Sequence, residues 1–80
     1  PCYFIAYAQN GDVIIENAGT SGEKYTCRFR DDNGIEQIVT SRNTAAGETI
    51  KMRIPNKKIN PVTVEITSGL NNRLTKHIAL

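Results

Sequence analysis

The chain has 80 residues, a formal net charge of +2 and two cysteines. A chain of this length forms one domain, residues 1–80, and buries only about 60% of its unfolded surface, so its core is marginal. Ten Lys and Arg residues are interleaved with eight acidic ones, which argues against a nucleic-acid binder because such proteins show a clear basic patch. No apolar run approaches the ~20 residues of a membrane helix, so no membrane span is expected.

Alternation of apolar and polar residues with a period of two predicts β-strands along most of the chain. Asn-Gly at 10–11 and at 33–34 predicts two-residue hairpin turns, because this dipeptide tolerates the positive φ angles that such turns need. Leu74, Ile78 and Leu80 also fit a short helical turn, but no segment shows a sustained helical stripe. The predicted strands span residues 2–8, 12–17, 24–30, 35–40, 48–54, 61–67 and 73–79.

Short strands joined by turns and apolar on one face are typical of a β-sandwich or a small barrel. The predicted fold class is therefore all-β, an antiparallel β-sandwich of six to seven strands. The seventh strand would be the C-terminal segment.

Cys2 and Cys27 both lie in phase with the inward residues of predicted strands, so a disulfide would join the first strand to the third. Such a bridge would stabilise the domain by roughly 3–4 kcal/mol in the loop-entropy model. It would also place the protein in an oxidising, extracellular compartment, so secretion is predicted. The alternative is two unlinked thiols in a cytosolic protein, since free cysteine is common in cores. The abrupt start at "PCYFIAYA", without methionine, is typical of a trimmed N-terminus.

Catalytic and metal-binding patterns find little support. His77 is the only histidine, and no nucleophile motif accompanies it. Two cysteines and one histidine do not complete a tetrahedral zinc site without a carboxylate, and "DDNG" lacks the closing glutamate of a calcium loop. The sequence predicts no enzyme, no metal and no cofactor.

Basic residues occupy the outward positions of the third and fifth predicted strands and the segment that follows. If these strands were neighbours, the residues would form a positive ridge that steers acidic proteins, polyanions or anionic lipids. Otherwise they belong to a solvated sheet face, where lysine discourages edge-to-edge aggregation. The candidate basic face comprises Lys24, Arg28, Arg30, Lys51, Arg53, Lys57 and Lys58.

The first predicted strand is apolar on both faces, since Tyr3, Ile5 and Tyr7 alternate with Cys2 and Phe4. It is either buried under the C-terminal segment or presents Tyr3 and Tyr7 as an aromatic patch to a partner. A sugar-binding platform usually contains tryptophan, which is absent here. A strand edge that accepts a partner's strand is the more natural functional form.

Four features of the chain are an N-terminal cysteine that opens the first strand, "NGD" before the second, "AAGETIKMRI" and "NPVTVEITSGL". Together they resemble the MAX family of fungal effectors, which are small secreted avirulence proteins and toxins. The resemblance covers nearly the whole chain and rests on pattern and size. It implies a six-stranded β-sandwich with a disulfide from the first strand. The family's partner cysteine lies near the link between the fourth and fifth strands, so only Cys2 matches it. A seventh strand would favour an immunoglobulin-like sandwich instead.

The sequence therefore predicts a small secreted, non-enzymatic, effector-like binding protein. It would recognise a host or partner protein through a strand edge or the basic face, with a polyanion or a glycan as other ligands. The alternative is an immunoglobulin-like adhesion or carbohydrate-binding module.

Overall fold

The computed structural model describes residues 3–54, 60–69 and 73–80. The described residues form seven strands and no helix. Each strand lies within about two residues of a predicted one, which confirms the all-β prediction and makes the C-terminal segment a strand. The strands are β1 (Phe4–Gln9), β2 (Asp12–Asn17), β3 (Tyr25–Arg30), β4 (Glu36–Thr40), β5 (Thr49–Met52), β6 (Thr63–Ser68) and β7 (Thr75–Ala79).

The strands pair into two antiparallel sheets, one in the order β1-β2-β5 and the other in the order β4-β3-β6-β7. The apolar faces of the two sheets supply one shared core, as expected for a sandwich. Both sheets contribute aromatic or branched side chains, and the third strand supplies every second residue to the core. The buried core residues are Phe4, Val13, Ile15, Tyr25, Cys27, Phe29, Met52, Val64 and Ile66.

The structure has seven strands, one more than the six that the effector resemblance implies. Constant-type immunoglobulin domains place their seven strands, lettered A to G, in the sheets ABED and CFG. With the same lettering, the smaller sheet here has the order A-B-E and the larger sheet has the order D-C-F-G. The difference is that the fourth strand pairs with the third and not with the fifth.

The turn between β1 and β2 has the predicted form. Asn10 and Gly11 have φ angles of 53° and 81°, the pair of positive angles that a two-residue hairpin of this type requires. The register confirms it, because Gln9 pairs directly with Asp12.

The turn between β3 and β4 is longer than predicted. Only Gly34 has a positive φ, 80°, and its N–H donates to the carbonyl of Asp31. The Asp31 carboxylate also accepts the N–H groups of Asn33 and Ile35, at 2.8 and 2.9 Å. An aspartate that bonds the backbone in this way favours a three-residue loop over the two-residue turn that Asn-Gly alone indicates.

The buried Asn17 at the end of β2 fixes the two loops beside it. Its Nδ2 donates to the carbonyls of Ser21 and Thr44, both at 2.9 Å, and its Oδ1 accepts the N–H of Gly19. The Asn17 backbone adds a bond from the N–H of Gly47 at 2.8 Å. One side chain therefore ties β2 to the loop before β3 and to the loop that carries the chain from β4 to β5.

The two sheets also meet through Lys76 on β7. Its Nζ donates to the carbonyl of Phe4 on β1 and lies 4.7 Å from the centre of the Phe4 ring. This cation–π contact joins β1 to β7 at one side of the sandwich. The larger sheet has one strand more, and β4 is its edge strand at the side opposite β7.

The predicted disulfide is not supported. Cys27 is a free thiol, fully buried in the core, and Cys2 lies outside the described residues. Burial raises the pKa of the Cys27 thiol from 9.0 to about 12 because the core disfavours the thiolate. Cys27 is therefore an inert core residue in the folded chain.

We expect Cys27 to resist alkylation in the native protein and to be alkylated in denaturant without reductant. Intact-mass measurement reports both states, and peptide mapping distinguishes Cys27 from Cys2. A denatured, unreduced monomer that takes up no label would instead establish the Cys2–Cys27 bridge. Since the folded pKa is raised, the thiol's contribution to stability is complete below pH 9 and is lost as the pH rises toward about 12.

Asn17→Ala should lower the free energy of unfolding by about 2–3 kcal/mol, because it removes three hydrogen bonds through which a buried side chain ties two loops to β2. Thermal denaturation followed by circular dichroism measures this loss. Asn33→Ala is the matched control, because the Asn33 side chain is exposed, and it should leave the melting temperature nearly unchanged. Equal melting temperatures for the two variants would contradict the role assigned to Asn17.

Candidate functional site

The outer face of β1 carries the largest exposed apolar side chains of the smaller sheet. Tyr3, Ile5 and Tyr7 are 60%, 51% and 48% exposed, and they follow one another at a spacing of two residues. Since such residues lie on one side of a strand, the three form a continuous stripe, which we call the β1 face. Large apolar side chains grouped in this way mark interaction surfaces more often than isolated ones do.

Residues of β2 and β5 lie beside the stripe on the same face of the sheet. Tyr7 pairs with Ile14, and Ile14 pairs with Lys51 on β5. Ile14 points away from the core yet is only 6% exposed, because its neighbours on both strands cover it. Glu16, beside Ile5, adds an acidic group to the polar edge of the patch. An apolar centre with a polar edge is the usual organisation of a protein–protein interface.

The β1 face decides between the two interpretations of the first strand. Burial under the C-terminal segment is wrong for the outward residues, because β7 contacts β1 through Lys76 and the inward Phe4 and leaves Tyr3 and Tyr7 exposed. The aromatic patch is the arrangement present. Ile5 also belongs to it, as its position midway between the two tyrosines indicates.

The basic residues do not form the predicted ridge. Arg28 and Arg30 lie on β3 in the larger sheet, whereas Lys51 lies on β5 in the smaller one, so the condition that these strands be neighbours is not met. Lys24 and Arg53 are exposed just outside the ends of those two strands. Lys57 and Lys58 lie outside the described residues.

The arginines of β3 are also partly neutralised by acidic neighbours on the same face. Nε of Arg28 lies 3.7 Å from Glu65, and a terminal nitrogen of Arg30 lies 3.6 Å from Glu36. Glu65 contacts the His77 ring as well, at 3.1 Å. Each pair is exposed, so it contributes little to stability, but it offsets positive charge where the ridge was predicted.

A row of threonines crosses the outer face of the larger sheet. The register places Thr40, Thr26, Thr67 and Thr75 side by side on its four strands. The hydroxyls of the two outer pairs are 3.4 and 3.1 Å apart. Sequence alternation assigns these residues to outward faces, but only the strand order shows that they form one row.

A polar hollow of about 460 Å³ lies beside this row. Its wall combines threonine hydroxyls with one acidic and two basic side chains, a set that hydrogen-bonds hydroxyl or anionic groups. The lining residues are Thr26, Arg28, Glu65, Thr67, Ser68, Gly69, Arg73 and Thr75.

No group of three potential metal ligands occurs among residues 3–54, 60–69 and 73–80. Over the same residues, no helix has the length and apolar character needed to cross a membrane. The two side chains with the greatest catalytic potential lie in different environments. Cys27 is buried in the core, whereas His77 is exposed beside Glu65.

Comparisons of this chain with protein-family models, with curated proteins and with solved structures found no match.

Proposed function

We propose that the protein is a small binding module that recognises an apolar surface of a protein partner through the β1 face. The observation that supports this proposal is the stripe of Tyr3, Ile5 and Tyr7, each about half exposed or more. Tyrosine contributes disproportionately to protein–protein affinity, since it offers a large, rigid contact area and a hydroxyl that bonds at the edge of the contact.

The face of β1 supports this role better than its free edge does. The N–H of Ala18 donates to the Tyr3 carbonyl, so Tyr3 and the residues at steps of two from it hydrogen-bond to β2. The free edge therefore belongs to Phe4, Ala6 and Ala8, and Lys76 already occupies the Phe4 carbonyl. A partner's strand added at this edge would have to displace that lysine.

Charge around the β1 face is mixed, with Lys51 on one side and Glu16 on another. Binding should therefore depend on apolar contact and change little with salt, in contrast to a polyanion complex. The partner that fits is a protein with an exposed apolar patch and no strong net charge at the contact.

The cellular setting is a separate proposal, a secreted and effector-like role. It is supported by the resemblance in size and sequence pattern, whereas the seven strands and the free Cys27 thiol both depart from what that resemblance implies. The alkylation experiment bears on this setting without affecting the binding role, which rests on the β1 face.

A second candidate function is glycan binding in the polar hollow. Its support is the set of hydroxyls from Thr26, Thr67 and Thr75 next to the Arg28 guanidinium, because sugars are bound through many such groups. It corresponds to the carbohydrate-binding alternative from the sequence and uses a different sheet from the β1 face.

For the β1 face, we expect Tyr7→Ala and Ile5→Lys each to weaken partner binding at least about tenfold, as for central interface residues. The partner is first identified with a photo-crosslinking residue at position 7, and only proteins displaced by excess unlabelled wild-type chain are retained. The affinity of each purified candidate is then measured by calorimetry at low and high salt.

Ile38→Lys is the matched control, because Ile38 on β4 is 56% exposed, close to the 51% of Ile5. It should bind a monovalent partner with wild-type affinity. The proposal is abandoned if Ile5→Lys and Ile38→Lys bind equally well, or if high salt abolishes binding by the wild-type chain.

For the hollow, Thr67→Val should abolish any glycan binding found on an array, because it removes a hydroxyl and keeps the side chain's size. Thr63→Val lies on the same strand outside this hollow and should bind as the wild type does. Glycan binding that persists in Thr67→Val would contradict this second candidate. Glycan binding that is lost in Ile5→Lys would instead assign the glycan site to the β1 face.

A further inference from the structure

The larger sheet ends in β4, an edge strand that carries an exposed apolar residue on its outer face. Ile38 on this strand is 56% exposed. We propose that this edge pairs antiparallel with β4 of a second copy of the chain, which produces a twofold-symmetric dimer with one continuous eight-stranded sheet. The surface belongs to the opposite sheet from the β1 face, so this proposal goes beyond the binding role and does not depend on it.

The position of β4 leaves its edge accessible. The sheets contain three and four strands, and the contact between Lys76 and Phe4 joins them on the β7 side. β4 is therefore the edge strand at the side of the larger sheet away from this contact. No described strand pairs with β4 on its outer side, so a second chain can add there without displacing a strand of either sheet.

The backbone of β4 presents its hydrogen-bonding groups to that open side. The N–H of Ser41 donates to the Tyr25 carbonyl at 2.8 Å, so residues at steps of two from Ser41 face β3. The N–H and carbonyl groups of the alternate residues, Glu36, Ile38 and Thr40, then face away from β3. An edge with three consecutive donor–acceptor pairs is the template for strand addition.

The other strand edges carry features that oppose pairing. Lys76 caps the β1 edge and points inward from β7, and inward-pointing charge is a common protection of edge strands. β5 is only four residues long and carries Lys51. β4 contains neither lysine nor proline, and its sequence EQIVT is rich in residues that favour strands.

The sequence of β4 is complementary to itself in one antiparallel register. With Ile38 opposite Ile38 of the second copy, all five residues of β4 are paired and Glu36 lies opposite Thr40. The residues that face the open side pair with one another in this register, which satisfies the backbone on both chains. Centring the pair on Glu36 would oppose two carboxylates, and the other symmetric registers leave part of each strand unpaired.

The side chains also suit this register. Cross-strand pairing of two isoleucines covers the exposed apolar side chain of Ile38 on both chains. Glu36 keeps its ion pair with Arg30 and gains a hydroxyl opposite it. One pair of short strands is a small interface, so the dimer should be weak and concentration-dependent.

Sedimentation equilibrium from micromolar to millimolar protein tests the proposal. The wild-type chain should show a reversible monomer–dimer equilibrium. Ile38→Pro should weaken dimerisation at least about tenfold, because it removes the two N–H donors of the central pair and leaves the bonds to β3 intact. Ile38→Lys keeps the backbone and should weaken the dimer similarly, because it places two like charges on the symmetry axis.

Ile5→Lys, with a side chain of similar exposure on the β1 face, should dimerise like the wild type. In a Cys2→Ser background, Ile38→Cys should form an intermolecular disulfide on mild oxidation, since directly opposed residues have Cα atoms about 5.5 Å apart. Ile5→Cys in the same background should form no intermolecular disulfide under the same oxidation. These two variants decide the case even if Ile38→Pro fails to fold.

The proposal is overturned by a wild-type chain that stays monomeric at millimolar concentration, or by a dimer that persists in Ile38→Lys. Cross-linking through Ile5→Cys and not through Ile38→Cys would also overturn it. Partner binding is unaffected by Ile38→Lys if the β1 face acts alone, so failure of the dimer and failure of the binding role give different results.

Discussion

The pairing of β4 with β3, and not with β5, is the constraint on which the surfaces of this domain depend. It gives the sheets unequal widths of three and four strands. The contact between Lys76 and Phe4 joins β7 to β1 at one side of the sandwich. At the other side, the edge strand of the larger sheet is β4. The chain then has to cross between sheets in the loop from β4 to β5, and the buried Asn17 holds that loop in place.

Stability without a bridged Cys27 has to come from such contacts. A domain of this size has a marginal core, so a few fully satisfied buried polar groups matter as much as an added apolar residue. Asn17 is one of them, because each of its side-chain polar atoms has a backbone partner. Glu48 supports the same loop from outside: its carboxylate bonds Arg42 and the Ala45 N–H, and the bond from Arg42 lowers the pKa of Glu48.

Alternation in the sequence specified the strands and the side of each strand on which a residue lies, because the two-residue period is a local property. It did not specify which strands are neighbours. The basic ridge failed for this reason, since β3 and β5 carry outward cations but lie in different sheets. The strand order also explains why Ile14 is buried. Alternation assigns Ile14 to the outward face, but its cross-strand partners Tyr7 and Lys51 cover it. The tyrosines of β1 were predictable as a patch, whereas the open edge of β4 required the strand order.

The two proposed surfaces combine in a particular geometry. In this dimer the twofold axis passes between the two Ile38 residues, which form a hydrogen-bonded pair. Such an axis runs perpendicular to the sheet. Rotation about it leaves each side of the sheet on its own side, so the smaller sheets of both copies lie on the same side of the dimer. Both β1 faces would then point in one direction. A weak dimer of this form would engage two partner sites at once, and the second contact would benefit from the high effective concentration that the first creates. Modest affinity at each β1 face is therefore compatible with firm attachment to a partner that is itself repeated or clustered.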